Sequence, residues 1–281
     1  MNRPKLIFLT LVTMISFAAN SVFCRLALAD SKNEPISFTL VRLFSGAFIL
    51  SFFFVKNPKS EPFKLNIKVL LAPAALFSYA VFFSLAYVQI GAAIGALILF
   101  ATVQLTMILV AMCRGQKLDS VEKIGFSLAV AGFVYLLWPG LEVPPLIPAS
   151  MMVLSGLAWG SYSLLGQGAN NPIMATARNF LFTVPLILVF LLLNPINLTE
   201  RGILLAVLSG SVTSGLGYVL WYIVLKELQT STAAIVQLCV PVIAALWGVG
   251  FLGESLSLRL VGSSTLIFTG IILKVKSSAR K

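Results

Sequence analysis

Ten stretches of mostly apolar residues, each long enough to cross a bilayer as a helix, occupy nearly the whole 281-residue chain. They run from Leu6 to Leu28, Ile36 to Val55, Val69 to Ile90, Ala92 to Met112, Val121 to Trp138, Ile147 to Leu165, Ile173 to Leu193, Ile203 to Leu225, Ser231 to Leu252 and Leu256 to Leu273. A residue adds about 1.5 Å to a helix, so about 20 residues cover the roughly 30 Å of hydrocarbon. Lipid offers backbone amides no partner, and these runs lack the alternation of barrel strands. The sequence therefore predicts an all-α integral membrane protein with ten transmembrane helices. A soluble fold is excluded because the chain is 59% hydrophobic and only 10% charged, too little polar surface for water.

The net charge of +11 is a topology signal rather than a nucleic-acid footprint. With the N-terminus inside, the inner segments carry Arg3, Lys5, Lys56, Lys59, Lys64, Lys68, Arg114, Lys117, Lys123, Lys226, Lys274, Lys276, Arg280 and Lys281. The outer ones carry Arg25, Lys32, Arg201 and Arg259. That bias predicts a multi-pass protein of the cell inner (cytoplasmic) membrane with both termini cytoplasmic. Arg3, Lys5 and the small residues Ala27-Leu28-Ala29 imitate a signal peptide, but the run is long and Arg25 interrupts it, so it reads as a retained span. Cys24, Cys113 and Cys239 fall in or beside different spans and form neither a disulfide framework nor a metal spacing.

A shift near 137 lays the second half over the first. Gly115-Gln116-Lys117-Leu118 then meets Gly253-Glu254-Ser255-Leu256, Val103-Gln104 meets Pro241-Val242, and Arg42 lies close to Arg178. Five spans is an odd number, so the second copy enters the bilayer from the opposite side. We expect two inverted five-helix repeats, residues 1–140 and 141–281, forming one membrane domain with a site near the midplane. Such a pair has two nearly equivalent packings, which suits alternating access.

Arg42-Leu43-Phe44, Trp159-Gly160-Ser161, Val240-Pro241-Val242 and Gly253-Glu254-Ser255-Leu256 leading to Gly262 and Gly270, in that order, resemble the EamA-type, ten-helix branch of the drug/metabolite transporter superfamily. The first copy departs from the pattern, with Gln116 for the glutamate, Val103 for the proline and Ala19-Asn20-Ser21 for the Trp-Gly-Ser signature. The resemblance implies a carrier that exports amino acids or related metabolites; a multidrug or nucleotide-sugar carrier of the same fold is the alternative.

All nine carboxylates lie in links or at span ends and the chain has no histidine, so no intramembrane acid is placed to relay protons or bind a cation. Glu254, at the end of the ninth span, reads as a helix-end contact. Metal-ligand clusters, cofactor motifs and catalytic dyads are also missing, which argues against an enzyme. The expected partners are a small-molecule substrate and the lipid bilayer, with no nucleic acid, in a monomer or homodimer.

Polar and aromatic side chains deep in the spans are the candidates for substrate binding. Tyr218 and Tyr222 share a helix face, with Trp221 beside them, and can line one side of the eighth span with the small stretch Gly210 to Gly217; Tyr79 corresponds to them by repeat. Gln104 and Gln237 should face the bundle, since an unpaired amide is costly in hydrocarbon. Asn20, Trp159, Tyr162 and Asn179 join them. Each of these could instead be interhelical glue or packing. Tyr87 and Trp138 sit near span ends and read as interfacial belt residues. Arg42 could hold a cargo carboxylate, but its depth of about one and a half turns favours snorkelling to the interface. Gly91 with Gly95, Gly156 with Gly160, and Gly248 with Gly250 should form packing seams. Pro185 and Pro241 should kink their helices.

Overall fold

The computed structural model describes residues 1–56, 67–113, 115, 120–138, 144–167, 169–193, 195–228, 233, 236–237 and 239–278. The expected inner residues Lys59, Lys64, Arg114, Lys117, Arg280 and Lys281, the carboxylates Glu61, Asp119 and Glu142, the Gln116-Lys117-Leu118 motif and the Ser231 start of the ninth span lie outside them.

Helices account for all the regular structure among the described residues. The first five spans are Arg3–Leu28, Pro35–Lys56, Ile67–Tyr87, Ala92–Cys113 and Ser120–Leu137. The sixth is Leu146–Gly166; the seventh is divided into Pro172–Leu181 and Val184–Leu193. The eighth consists of Glu200–Leu208, a π-helical stretch Ser209–Leu216, and Gly217–Glu227. Cys239–Leu252 belongs to the ninth and Leu258–Ser278 is the tenth. Among the described residues, six spans are long and apolar enough to cross a membrane, with Lys123–Leu136 and Cys239–Leu252 as shorter apolar helices. Phe8, Phe48, Leu192 and Phe251 all stand outward, 61 to 87% exposed. Such a surface needs lipid, because water would penalise every one of these side chains.

Local chemistry explains where the helices start. Asn2, Asn171 and Thr199 each accept a hydrogen bond from a first-turn amide, and Pro follows closely in two of the three. The Glu34 carboxylate accepts from the Ile36 and Ser37 amides in the same way. The seventh span breaks at Phe182 and Thr183, so Pro185 falls in the first turn of a new helix instead of bending an old one. Pro241 likewise lies in the first turn of Cys239–Leu252. Pro73 lies inside the helix of the third span.

Packing pairs elements from the two halves. The first span lies along the eighth and the sixth along the third; the second contacts the seventh, and the fifth lies beside the tenth. Exchanging the halves maps these pairs onto one another or onto themselves. Gly115 and Gly253, which the sequence shift superposes, both have positive φ, +89° and +65°. Only glycine enters that region freely.

Candidate functional site

The site begins with a close approach between the second span and the π-helical stretch. A Cβ at Gly210 would collide with the Arg42 carbonyl and Ser45 Oγ, and one at Gly46 with the Phe180 ring. Glycine at both positions lets the two backbones touch. π geometry adds a residue to the helical turn, and here Ser209, Thr213 and Ser214 are all buried.

Arg42 is thereby drawn into the middle of the bundle. It is 0% exposed, so the expected snorkelling does not occur. Its Nε donates to Ser214 Oγ (3.0 Å), and Nη2 donates to Tyr218 Oη (2.8 Å) and Tyr79 Oη (3.3 Å). The guanidinium carbon stands 5.0 Å from the Phe83 ring centre and 5.3 Å from that of Tyr79. Neutral hydroxyls and π faces replace water around the charge. Among the described residues no carboxylate pairs with it; the ion pairs there join Met1 to Glu227 and Arg25 to Glu254.

Asn20 organises the next layer. Its Oδ1 accepts from Ser209 Oγ (2.6 Å), Thr213 Oγ1 (3.3 Å) and Ser214 Oγ (3.5 Å), while Nδ2 donates to Tyr79 Oη (3.3 Å). Tyr218 Oη also donates to Tyr79 Oη, at 3.1 Å. One asparagine thus ties the first, third and eighth spans together.

Rings close around this polar centre. Trp159 lies 4.6 Å from Tyr218, 4.9 Å from Tyr79 and, stacked, 5.4 Å from Tyr162. Phe17 presents its edge to Trp159 and Tyr218. The enclosed space is about 10 Å³, lined by Phe17, Asn20, Ser21, Tyr79, Phe83, Leu99, Phe100, Trp159 and Tyr218. That is room for about one water. A metabolite could enter only if the rings moved apart.

Of the residues singled out in the sequence, Asn20, Tyr79, Trp159 and Tyr218 line this cavity, and Arg42 touches its wall through Tyr79, Tyr218 and Phe83. The others lie behind them. Gln237 Oε1 accepts from Trp159 Nε1 (3.2 Å), Trp221 Nε1 donates to Ser163 Oγ (3.3 Å), and Tyr222 Oη donates to the Tyr162 carbonyl (3.1 Å). Gln104 is buried in the fourth span away from the lining. Asn179 is buried beside Phe180 in the seventh. Tyr87 is no belt residue: it is fully buried, with its ring against Gly95. Trp138, 63% exposed, does face outward.

Sequence reading missed Phe17, Ser21, Phe83, Leu99 and Phe100 in the lining and Ser209 beside Asn20, whereas Thr213 and Ser214 fall in the small stretch Gly210 to Gly217 that it set beside Tyr218. Phenylalanine and leucine are too common in any span to stand out, but the Ser-Gly-Ser-Val-Thr-Ser-Gly run at 209–215 is a visible signal.

Both ends of the first span are tied down. At one end Glu254 accepts from the amides of Ala92 (2.7 Å) and Ala93 (3.3 Å), where the exposed amides of a helix N-terminus favour an anion. Gly253 aims it there by ending the ninth helix at positive φ, and Glu254 N donates back to Gly248 O (3.0 Å). Gly91 and Gly248 make room for the carboxylate. Arg25 stands 3.8 Å from Glu254 and donates to the carbonyls of Tyr87 and Val88. At the other end the N-terminal amine pairs with Glu227 (3.0 Å), and Lys226 donates to the Asn170 carbonyl (3.2 Å). Gly156 and Gly160 pack on Thr102 and Thr106 of the fourth span, whereas Gly250 touches nothing and forms no seam.

The chain matches the EamA-like transporter family over residues 4–138 and again over 146–275. It belongs to that family. An uncharacterized protein of Pseudomonas aeruginosa is 43% identical over 272 residues, covering 95% of this chain and 93% of its own. An uncharacterized transporter of Clostridium kluyveri is 22% identical over 288 residues, 96% of this chain and 93% of its own. One of Archaeoglobus fulgidus is 26% identical over 207 residues, 70% and 73% of the two chains. A solved crystal structure shares the fold with a TM-score of 0.73 over 100% of both chains, at 17% identity. EamA membership makes this a multi-pass membrane transporter.

Proposed function

We propose that the protein is a secondary carrier of small polar or amphipathic metabolites, amino acids or related compounds, working by alternating access and exporting its cargo. The observation that carries this reading is a closed, aromatic and hydroxyl-lined cavity walled by both halves. Asn20 and Tyr79 come from the first half, and Trp159 and Tyr218 from the second. A site on the seam opens to one face or the other as the halves rock. The swapped packing pairs, the paired positive-φ glycines and the twofold match to one family support an inverted repeat. The basic bias supports a cytoplasmic membrane location with both termini inside, which puts the Arg25–Glu254 contact on the outer side. Family membership favours transport over catalysis.

Counterflow in proteoliposomes against amino acids, sugars and organic cations tests this. Exchange of at least one metabolite is expected, and Tyr218→Ala and Gln237→Ala should reduce it by about tenfold or more while the protein stays folded. Purified, folded protein that exchanges none of the panel would contradict the carrier assignment.

A further inference from the structure

We propose that Arg42 recognises the cargo by an anionic end, so that the cavity takes a monocarboxylate with an apolar or aromatic body ahead of its neutral and cationic counterparts. This rests on the reading of the cavity as the cargo site and narrows its substrate class.

The guanidinium is charged at any physiological pH, and it is buried with no acid partner among the described residues. Removing a charge from water is costly unless an opposite charge meets it. Here Nε and Nη2 reach three hydroxyls, and Nη1 has no hydrogen-bond partner. Donors also outnumber acceptors around it. The Tyr79 oxygen faces Asn20 Nδ2, Arg42 Nη2 and Tyr218 Oη, three donors for two lone pairs. Asn20 Oδ1 already serves three hydroxyls. A carboxylate supplies the missing charge and the missing acceptors together, and its two oxygens match the planar fork of an arginine.

The same count sets the valence. Arg25, at the end of the first span, is occupied by Glu254 and two carbonyls, and Arg178 on the seventh span stands near Tyr222, outside the cavity lining. The one guanidinium that backs the cavity wall, through Tyr79, Tyr218 and Phe83, balances one negative charge, so a diphosphate such as a nucleotide sugar carries more than the site can neutralise. An organic cation would meet the like charge of Arg42 behind the wall and no acid in the lining. The rings of Phe17, Phe83, Phe100 and Trp159 offer the rest of the cargo an apolar wall.

A brace that merely joined three spans would confer no charge preference on the ligand. The test is therefore binding to purified wild-type protein in detergent, read by tryptophan fluorescence, with three matched sets: phenylacetate, phenylacetamide and phenethylamine; benzoate and benzamide; indole-3-acetate and its amide. At least one acid should bind about tenfold or more tighter than its amide, with the amine weakest. Arg42→Gln should lower that acid's affinity by about a hundredfold and bring the acid-to-amide ratio towards one. If every acid and its amide bind the wild type within about threefold, or the amine is preferred, the inference fails whether or not the variant folds. An acid that binds selectively but is not exchanged by proteoliposomes sinks the carrier reading and leaves this one standing. Exchange of neutral or cationic metabolites that Arg42→Gln leaves intact does the reverse.

Discussion

A guanidinium in the membrane interior is held here by three hydroxyls and two ring faces, with Nη1 left over. Asn20 helps to place these groups, since its single carbonyl oxygen collects Ser209, Thr213 and Ser214 while its amide steadies Tyr79. Asn20→Leu should strip the buried hydroxyls of Ser209 and Ser214 of their acceptor, while Thr213 keeps the Ser209 carbonyl at 2.9 Å. We expect a loss of about 1–3 kcal/mol, seen as a lower thermal unfolding midpoint in detergent, together with slower exchange. An unchanged midpoint would mean the hydroxyls find other partners. Sequence reading identified Asn20, Tyr79 and Tyr218 because amides and phenols are conspicuous deep in apolar runs. It sent Arg42 to the interface because a long stem usually allows that, and the small hydroxyl-rich run on the eighth span, though visible, did not name Arg42 as its partner. That pairing was hard to see for a physical reason. Serine and threonine in spans commonly bond back to their own helix, as Ser16, Thr102 and Ser211 do here.

At the scale of elements, the eighth span does what a regular helix would not. Its π-helical stretch and Gly210 bring it against the backbone of the second span, so that Arg42 meets Ser214 and Tyr218. Gly210→Val would force these backbones apart, and overpacking of this kind costs about 1–3 kcal/mol. A lower unfolding midpoint and loss of acid-selective binding are expected. Retention of both would show that Arg42 does not depend on this contact. The existence of the spans was legible from apolar length alone. Their interruptions were not, because apolar length carries no mark of a break at Phe182 and Thr183, and the small residues at 209–216 do not tell a π turn from a regular helix. Glu254 was readable as a helix-end group. Its partner, the start of the fourth span, was not, since the two are far apart in the chain.

For the whole molecule, the account turns on a closed cavity between two halves that must open alternately. One end of the first span is fastened through Arg25, Glu254 and the fourth span, the other through the N-terminus and Glu227. Rocking would loosen one set while keeping the other, and the aromatic rings between them would part towards one face at a time. Ser21 lines the cavity and is buried, and cysteine differs from serine only at the γ atom. Ser21→Cys, in protein whose Cys24, Cys113 and Cys239 are replaced by serine or alanine, can be exposed in membranes to an impermeant thiol reagent from either face. Labelling from both faces, in separate experiments on functional protein, is the predicted result; labelling from one face only, or from neither while exchange proceeds, would contradict alternating access through this cavity.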